Sequence, residues 1–317
     1  MKALITGVTG FVGSYLCRRL LDAGCEVVGL ARSIKTDDNE IRLISCDVTD
    51  EAHLRKVLKK EKPDQIYHLA GSAFVPFTIK EPRVTYNTIV NGTLSLYEAL
   101  RGLDVAPKVL FVGSAAVYGE GSGSAFKESD LMKPVNPYAG AKACADLISE
   151  QYANTYEMNI IRVRPFNHTG PRQSPAFVCS SFAKQVAEIE IGATSELTVG
   201  NLNVKRDFLD VRDVVDAYFL LMEKGVSGEV YNVSSQQAVS VSDLLDLLTQ
   251  LSKVKSLNIE VDPNKLRHNE TPVKFGDSSK IRKEIGWEPT HKIEQTMSDL
   301  LDYWRMFIRE GKGWKGQ

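Results

Sequence analysis

The amino-acid sequence predicts an α/β protein: a doubly wound parallel sheet with a smaller, interleaved C-terminal α/β lobe. Three observations predict it. An apolar strand, Ala3-Leu4-Ile5, runs directly into a turn with regularly spaced glycines and then a helix start. A second apolar run, Cys25 to Leu30, arrives after one helix of amphipathic spacing, which completes a β-α-β unit. Strand-like runs then recur near residues 41–46, 65–69, 108–113 and 159–164, each separated by a helix-like segment, the alternation of a parallel sheet covered on both faces.

The first turn reads Thr6-Gly7-Val8-Thr9-Gly10-Phe11-Val12-Gly13. Glycine at 7 and 10 lets the backbone turn tightly and approach a pyrophosphate. Gly13 lets the helix pack close to the strand and aim its N-terminal amides at the charge. This is a Rossmann-type dinucleotide fingerprint, with G-x-x-G-x-x-G spacing. The second strand ends in Leu30-Ala31-Arg32-Ser33, without the carboxylate that holds a ribose 2′-hydroxyl in NAD-selective sites. Arg32 and Ser33 suit a 2′-phosphate instead, which favours NADP(H) over the alternative, NAD(H).

After Pro165 the chain enters a polar loop, Phe166 to Gln173, at the carboxyl end of a strand, where such sheets place ligands. Beyond it the pattern predicts a helix near 176–191, a short strand and turn at 197–203, a helix from 211, a strand at 229–233, and helices near 241–252 and 293–309. Residues 1–165 with about 204–235 are expected to form the dinucleotide domain, and 166–203 with 236–317 the second lobe.

Composition narrows the partners. Lys and Arg total 39 against 40 Asp and Glu, a net charge of −1, which makes no global case for nucleic acid or an anionic membrane. No apolar run reaches spanning length, and the N-terminal strand shows no secretory pattern, so a cytoplasmic protein is expected. Five scattered cysteines without C-x-x-C spacing predict reduced thiols and no metal site.

Two features carry chemistry. Tyr138 and Lys142 lie four residues apart at a helix start, so phenol and ammonium share one face. A nearby cation is expected to lower the phenol's pKa from its ordinary value near 10, making Tyr138 a usable general acid or base. Upstream, a strand ends in Gly113-Ser114-Ala115-Ala116-Val117-Tyr118-Gly119, which puts the Ser114 hydroxyl at the carboxyl edge of the sheet.

The glycine fingerprint, Ser114, Tyr138 and Lys142 together resemble the extended short-chain dehydrogenase/reductase family, whose members transform nucleotide sugars. The resemblance implies that Tyr138 shuttles a proton to or from a sugar oxygen, that Lys142 holds the nicotinamide ribose, and that Ser114 assists. It further implies cofactor contacts at Gly7, Gly10, Phe11, Val12, Gly13, Asp47, Val48, Leu69, Ala70, Gly71 and Pro165, and a homodimer formed through the Tyr138 helix and the helix before it.

Arg164-Pro165-Phe166-Asn167-His168-Thr169-Gly170-Pro171, with Phe177-Val178, Lys184, Gly200-Asn201-Leu202 and Lys205-Arg206-Asp207-Phe208, resembles the branch of GDP-mannose dehydratases and GDP-4-keto-6-deoxymannose reductases. Lys184, Arg206 and Arg267 offer cations for a diphosphate, and Glu270 an acceptor for a ribose hydroxyl or base amine. Asn167 and Val178 would line the sugar-diphosphate pocket, and Asn201 would face the base.

Similar 4,6-dehydratases carry acidic residues after the serine, because eliminating water needs a base and an acid. Here Ala115-Ala116 can do neither job. Ketone reduction and 4-epimerisation need only hydride transfer and one proton carrier. The missing carboxylate after Leu30 favours the reductase, since similar epimerases hold NAD tightly. The expectation is therefore an NADPH-dependent reductase of a GDP-4-keto-6-deoxyhexose, with a nucleotide-sugar 4-epimerase as the alternative and a 4,6-dehydratase behind both. A dinucleotide-sensing regulator is the non-enzymatic alternative, and it needs neither Tyr138 nor Lys142.

Overall fold

The structure is a computed structural model, and it describes residues 1–34, 40–104, 106–121, 123–254, 256–266 and 271–311. β1 (Lys2–Thr6) leads through α1 (Phe11–Asp22) to β2 (Glu26–Ala31), followed by β3 (Arg42–Ser45), α2 (Glu51–Glu61) and β4 (Gln65–His68). The next crossover is α3 (Val75–Lys80), α4 (Pro82–Tyr86), a π-helical turn over Asn87–Asn91 and α5 (Gly92–Arg101), ending in β5 (Lys108–Val112). A 3-10 turn at Ala115–Tyr118 precedes α6 (Pro137–Tyr156) and β6 (Ile160–Pro165). Then come β7 (Asn167–Thr169), α7 (Val178–Glu190), β8 (Glu196–Val199), β9 (Lys205–Asp210), α8 (Val211–Lys224) and β10 (Val230–Val233). The chain closes with β11 (Ala238–Ser240), α9 (Val241–Leu251), β12 (Asn258–Val261), β13 (Val273–Lys274), α10 (Ser279–Ile285) and α11 (Ile293–Arg309).

Seven parallel strands run in the order β10-β6-β5-β4-β1-β2-β3, so the predicted doubly wound sheet is present. Its central strands are near-continuous buried runs because helices cover both faces. Leu16 and Leu20 of α1, Val214 and Tyr218 of α8, and Ile281, Ile285 and Trp287 around α10 fill one face. Leu54 and Leu58 of α2, Leu96 and Tyr97 of α5, and Ala141 and Ala145 of α6 fill the other. The strand order reverses at β1, flanked by β2 on one side and β4 on the other, which opens a crevice at their carboxyl ends.

A third core, with Phe182 and Val186 from α7, Leu244 and Leu248 from α9 and Leu300 and Trp304 from α11, belongs to the second lobe. There β9 lies between antiparallel β11 and parallel β13 and also pairs with β7. The chain passes between lobes at points the expected boundaries miss: β9, within 204–235, joins the small sheet, and α10, within 236–317, returns to the large-sheet core.

Asp207 of β9 ties these passages together. Its buried carboxylate accepts from the Ser234 hydroxyl (2.7 Å), the Ser235 hydroxyl (2.7 Å) and amide (2.8 Å), and the Gly276 amide (3.2 Å). Replacing Asp207 with Ala leaves the Gly276 and Ser235 amides without their acceptor, so we expect a loss of about 3 kcal/mol, read by urea unfolding. A loss below about 1 kcal/mol would show that the tie is not needed.

None of the five cysteines is in a disulfide; four are buried and Cys144 is exposed. Among the described residues, no helix is long and apolar enough to cross a membrane.

Candidate active site

The site is assembled at the carboxyl ends of β1, β4, β5 and β6. At β1, Gly7 adopts φ +74°, a left-handed conformation that favours glycine. A Cβ at Gly7 would stand 3.2 Å from the Ala70 nitrogen, and one at Gly13 only 2.3 Å from the Gly7 carbonyl oxygen. The fingerprint loop is thus pressed against both the start of α1 and the turn after β4. Thr6 fastens the second contact, its Oγ1 accepting from the Leu69 and Ala70 amides at 3.1 Å each. Phe11 and Val12 open α1, whose first turn carries no acidic residue and so leaves its amide end electropositive.

His68 sits beneath this turn. Its ring nitrogens contact the hydroxyls of Thr6 (2.9 Å) and Thr93 (3.2 Å), and burial with the nearby Lys142 cation pushes its pKa down to about 3. It is a neutral tie between strands.

At the end of β2, Arg32 and Ser33 are exposed, and the Arg32 carbonyl accepts from the Ser45 hydroxyl at 3.2 Å. Asp47 lies within the field of Arg32; hydrogen bonds from the Thr49 amide and hydroxyl, helped by Arg32, hold its carboxyl below the usual range. The Val48 side chain is buried against Gly92 of α5.

At the end of β5, Ser114 caps the 3-10 turn by accepting from the Ala116 amide at 3.1 Å, and its hydroxyl also bonds Tyr138. Asn136 caps α6 through the Ala139 amide at 2.9 Å, which sets Tyr138 in the first turn. One turn on, the buried Lys142 donates to the Val112 carbonyl at 2.6 Å, so the ends of β5 and α6 are locked together.

The expected lowering of the Tyr138 pKa by Lys142 is not what the site shows. Burial raises the phenol above 10, and the opposing influence is the hydrogen bond with Ser114. The lysine is itself lowered to about 8 by burial, partly offset by Asp146.

Pro165 ends β6, and Asn167 begins β7 with an exposed side chain. The ring of His168 stacks on Phe11 with centroids 6.3 Å apart, joining this loop to the fingerprint. Val178 is the first residue of α7. Lys184, expected as a diphosphate cation, is paired with Glu188 at 2.5 Å one turn away. Asn201 accepts from the Asn203 amide at 3.0 Å, and Arg206 donates to the carbonyls of Lys205 and Thr271 at 2.8 Å each. Arg267 and Glu270 lie outside the described residues.

Two features beside the site escape the sequence. Lys274 pairs in register with Arg206 on adjacent strands and donates to the Gly119 carbonyl at 2.9 Å; burial and the Arg206 charge lower it to about 8. Phe74, after β4, meets Phe177, before α7, edge to face at 6.4 Å, and so links the two lobes. Neither lies in a spacing pattern that marks it.

The chain is similar to known nucleotide-sugar enzymes. A family model described as GDP-mannose 4,6 dehydratase matches residues 4–300. The chain is 34% identical to a GDP-6-deoxy-D-mannose reductase of Pseudomonas aeruginosa, over 98% of this chain and 99% of the relative. It is 28% identical to a GDP-mannose 4,6-dehydratase of Yersinia enterocolitica, over 95% and 92%. Among solved structures, RMD from Pseudomonas aeruginosa complexed with NADPH superposes with a TM-score of 0.86 at 33% identity, covering 96% of this chain and 99% of that one. The UDP-glucose 4-epimerase of Thermotoga maritima with UDP-glucose reaches 0.89 at 26% identity, covering 97% and 100%. The fingerprint loop, the Ser114–Tyr138 contact and the fold therefore sit in a chain that belongs to the GDP-mannose 4,6-dehydratase family of short-chain dehydrogenase/reductase enzymes.

Proposed function

We propose that the protein is an NADPH-dependent reductase of the C4 ketone of a GDP-4-keto-6-deoxyhexose. The observation that carries this reading is the contact of Tyr138 with Ser114 at the carboxyl end of the sheet, beside Ala115 and Ala116, where burial raises the phenol's pKa. A protonated phenol suits the reductive direction, where a carbonyl oxygen must receive a proton. The relatives' names support the substrate class, and the complex of RMD with NADPH supports the cofactor.

The residues present fit a dinucleotide. Gly7, Gly10 and Gly13 let the loop lie tight against the Ala70 and Val8 backbone, where a Cβ would crowd it, and the amide end of α1 has no competing acid. A bound reduced nicotinamide would supply the hydride. The Ser114 hydroxyl would orient and polarise the keto oxygen, and Tyr138 would give that oxygen its proton as the carbon is reduced. The Lys142 ammonium, fixed on the Val112 carbonyl, retains further N–H donors for a ribose hydroxyl. Asn167, Val178, Asn201 and Arg206 would line the nucleotide-sugar side, as would Lys184 if it exchanges Glu188 for a diphosphate.

Arg32 and Ser33 would hold the 2′-phosphate. Replacing Arg32 with Ala is expected to raise the KM for NADPH about tenfold and leave that for NADH nearly unchanged. An equal effect on both would remove Arg32 from phosphate binding.

The homodimer would form through α6, which exposes the apolar Leu147, and the helix before it, α5. Sedimentation of a monomer at micromolar concentration would contradict it. The mostly buried thiols, none in a disulfide, fit a reducing compartment, and we place the protein in the cytoplasm.

The activity is tested by mixing the protein with GDP-4-keto-6-deoxymannose and excess NADPH while following nicotinamide absorbance. Sustained oxidation with formation of a 4-hydroxy sugar is the expected result. No net oxidation, with interconversion of GDP- or UDP-hexose epimers on bound NAD, would move the protein to the epimerases, whose fold it shares.

A further inference from the structure

We propose that Asp146 is a positioning residue of the reaction, set one helical turn below Lys142 so that its carboxylate supports the Lys142 ammonium, which the Val112 carbonyl holds in place. The inference rests on the role given to Lys142 above. On α6, Tyr138, Lys142 and Asp146 recur at intervals of four and so share one face. Asp146 is fully buried, with 0% of its surface exposed. Its Oδ1 accepts from Arg162 Nη1 at 2.9 Å and Arg164 Nη2 at 3.1 Å, and its Oδ2 from Arg164 Nε at 2.9 Å.

The arginines are themselves held. Arg164 Nη1 donates to the Tyr118 hydroxyl and the Glu128 carbonyl, both at 3.1 Å. Arg162 Nη2 donates to Glu150 and to the Gly228 carbonyl, both at 3.1 Å. A carboxylate gripped this way has one available position.

Two buried arginines need a carboxylate for stability alone, since unpaired buried charge is costly. Stability does not require that carboxylate to sit beneath the reacting groups. Asp146 Oδ2 lies 3.5 Å from where a Cβ at Gly113 would stand, directly under the turn that presents Ser114. It also acts on Lys142 against the effect of burial.

The groups around Lys142 define the electrostatics. β4 contributes the neutral His68, and β5 the Phe111 ring, 5.5 Å from Nζ, and the Val112 carbonyl. β6 contributes Arg162 and Arg164 behind Asp146; Ser114 and Tyr138 stand on the active-site side, both uncharged. Glu150 reaches the cluster through Arg162, while Glu128 meets Arg164 with its backbone carbonyl and its carboxylate accepts from the Asn232 amide. The carboxylate acting directly on Lys142 is Asp146.

Opposite signs follow for two substitutions. Asp146→Asn removes the anion and leaves both arginines, so Lys142 should lose its proton about one pH unit lower than in the unsubstituted protein. Arg162→Gln removes a cation that offsets Asp146, so Lys142 should hold its proton to higher pH, by about half a unit. The experiment titrates the lysine directly by NMR with 13Cε-labelled lysine, assigning its resonance by Lys142→Met. In parallel, the alkaline limb of the kcat–pH profile is measured, which should lie near pH 8 in the unsubstituted protein.

Opposite shifts of the resonance and of the limb are expected, and a merely structural Asp146 would lower activity in both variants without opposite shifts. Opposite resonance shifts with an unmoved limb would leave Asp146 acting on Lys142 but overturn its part in the reaction, so the two failures are separable. An unmoved resonance in both variants would overturn the proposal. Should Asp146→Asn fail to fold, the double variant Asp146→Asn/Arg162→Gln, which removes one charge of each sign, decides against Arg162→Gln: a lower Lys142 titration in the double variant supports the proposal and an equal one overturns it.

Discussion

Tyr138→Phe lowers kcat by about a thousandfold while the affinity for NADPH changes less than about threefold, the result expected if the phenol is the proton donor. The substitution removes one oxygen and keeps the ring. That ring packs against the core formed by α2, α5 and α6, so the fold should be unaffected. The lost oxygen is the partner of Ser114, whose hydroxyl still caps the Ala116 amide at 3.1 Å and so stays in place. Steady-state kinetics with the 4-keto sugar, alongside a titration of NADPH fluorescence, separates the two effects. Turnover like that of the unsubstituted protein would remove the catalytic assignment. A matching loss of NADPH affinity would make Tyr138 a binding residue.

What the sequence discloses and what it hides divide along a physical line. Gly7, Gly10 and Gly13 are legible because backbone clearance and a left-handed φ select glycine locally, whatever the rest of the chain does. The strands of the large sheet are legible because burial on both faces writes them as apolar runs, as in β1 and β4. β12 is exposed along its whole length and β13 has two residues, so neither carries such a pattern. The spacing of Tyr138 and Lys142 is visible, but the direction of the phenol's shift is not, because desolvation depends on what the fold stacks above it. Lys184 looked like a substrate cation until the helix supplied Glu188 as its partner. Asp146 is hidden for a related reason: its meaning comes from Arg162 and Arg164, which the fold brings to it from the next strand.

Gly13→Ala is expected to weaken NADPH binding by at least about a hundredfold and to cost about 2–3 kcal/mol of stability. The reason is the nature of the neighbours. The added Cβ would stand 2.3 Å from the Gly7 oxygen and 2.8 Å from the Val8 Cα and oxygen, all backbone atoms that cannot swing aside. Relief requires α1 to move away from β1, and that displaces the very amides meant to face the pyrophosphate. Gly10→Ala meets a single contact, 3.2 Å from the Gly7 oxygen, and should lose less of both. Gly24→Ala supplies the opposite contrast. Its φ of +77° makes alanine strained, but nothing lies within 4 Å of the new Cβ, so stability should fall by about 1 kcal/mol with binding unchanged. Urea unfolding and NADPH fluorescence titration across the three variants therefore test whether clearance, and not glycine's flexibility, makes this loop a dinucleotide site. If Gly13→Ala and Gly24→Ala lose affinity equally, the loop's close packing is not what binds the cofactor.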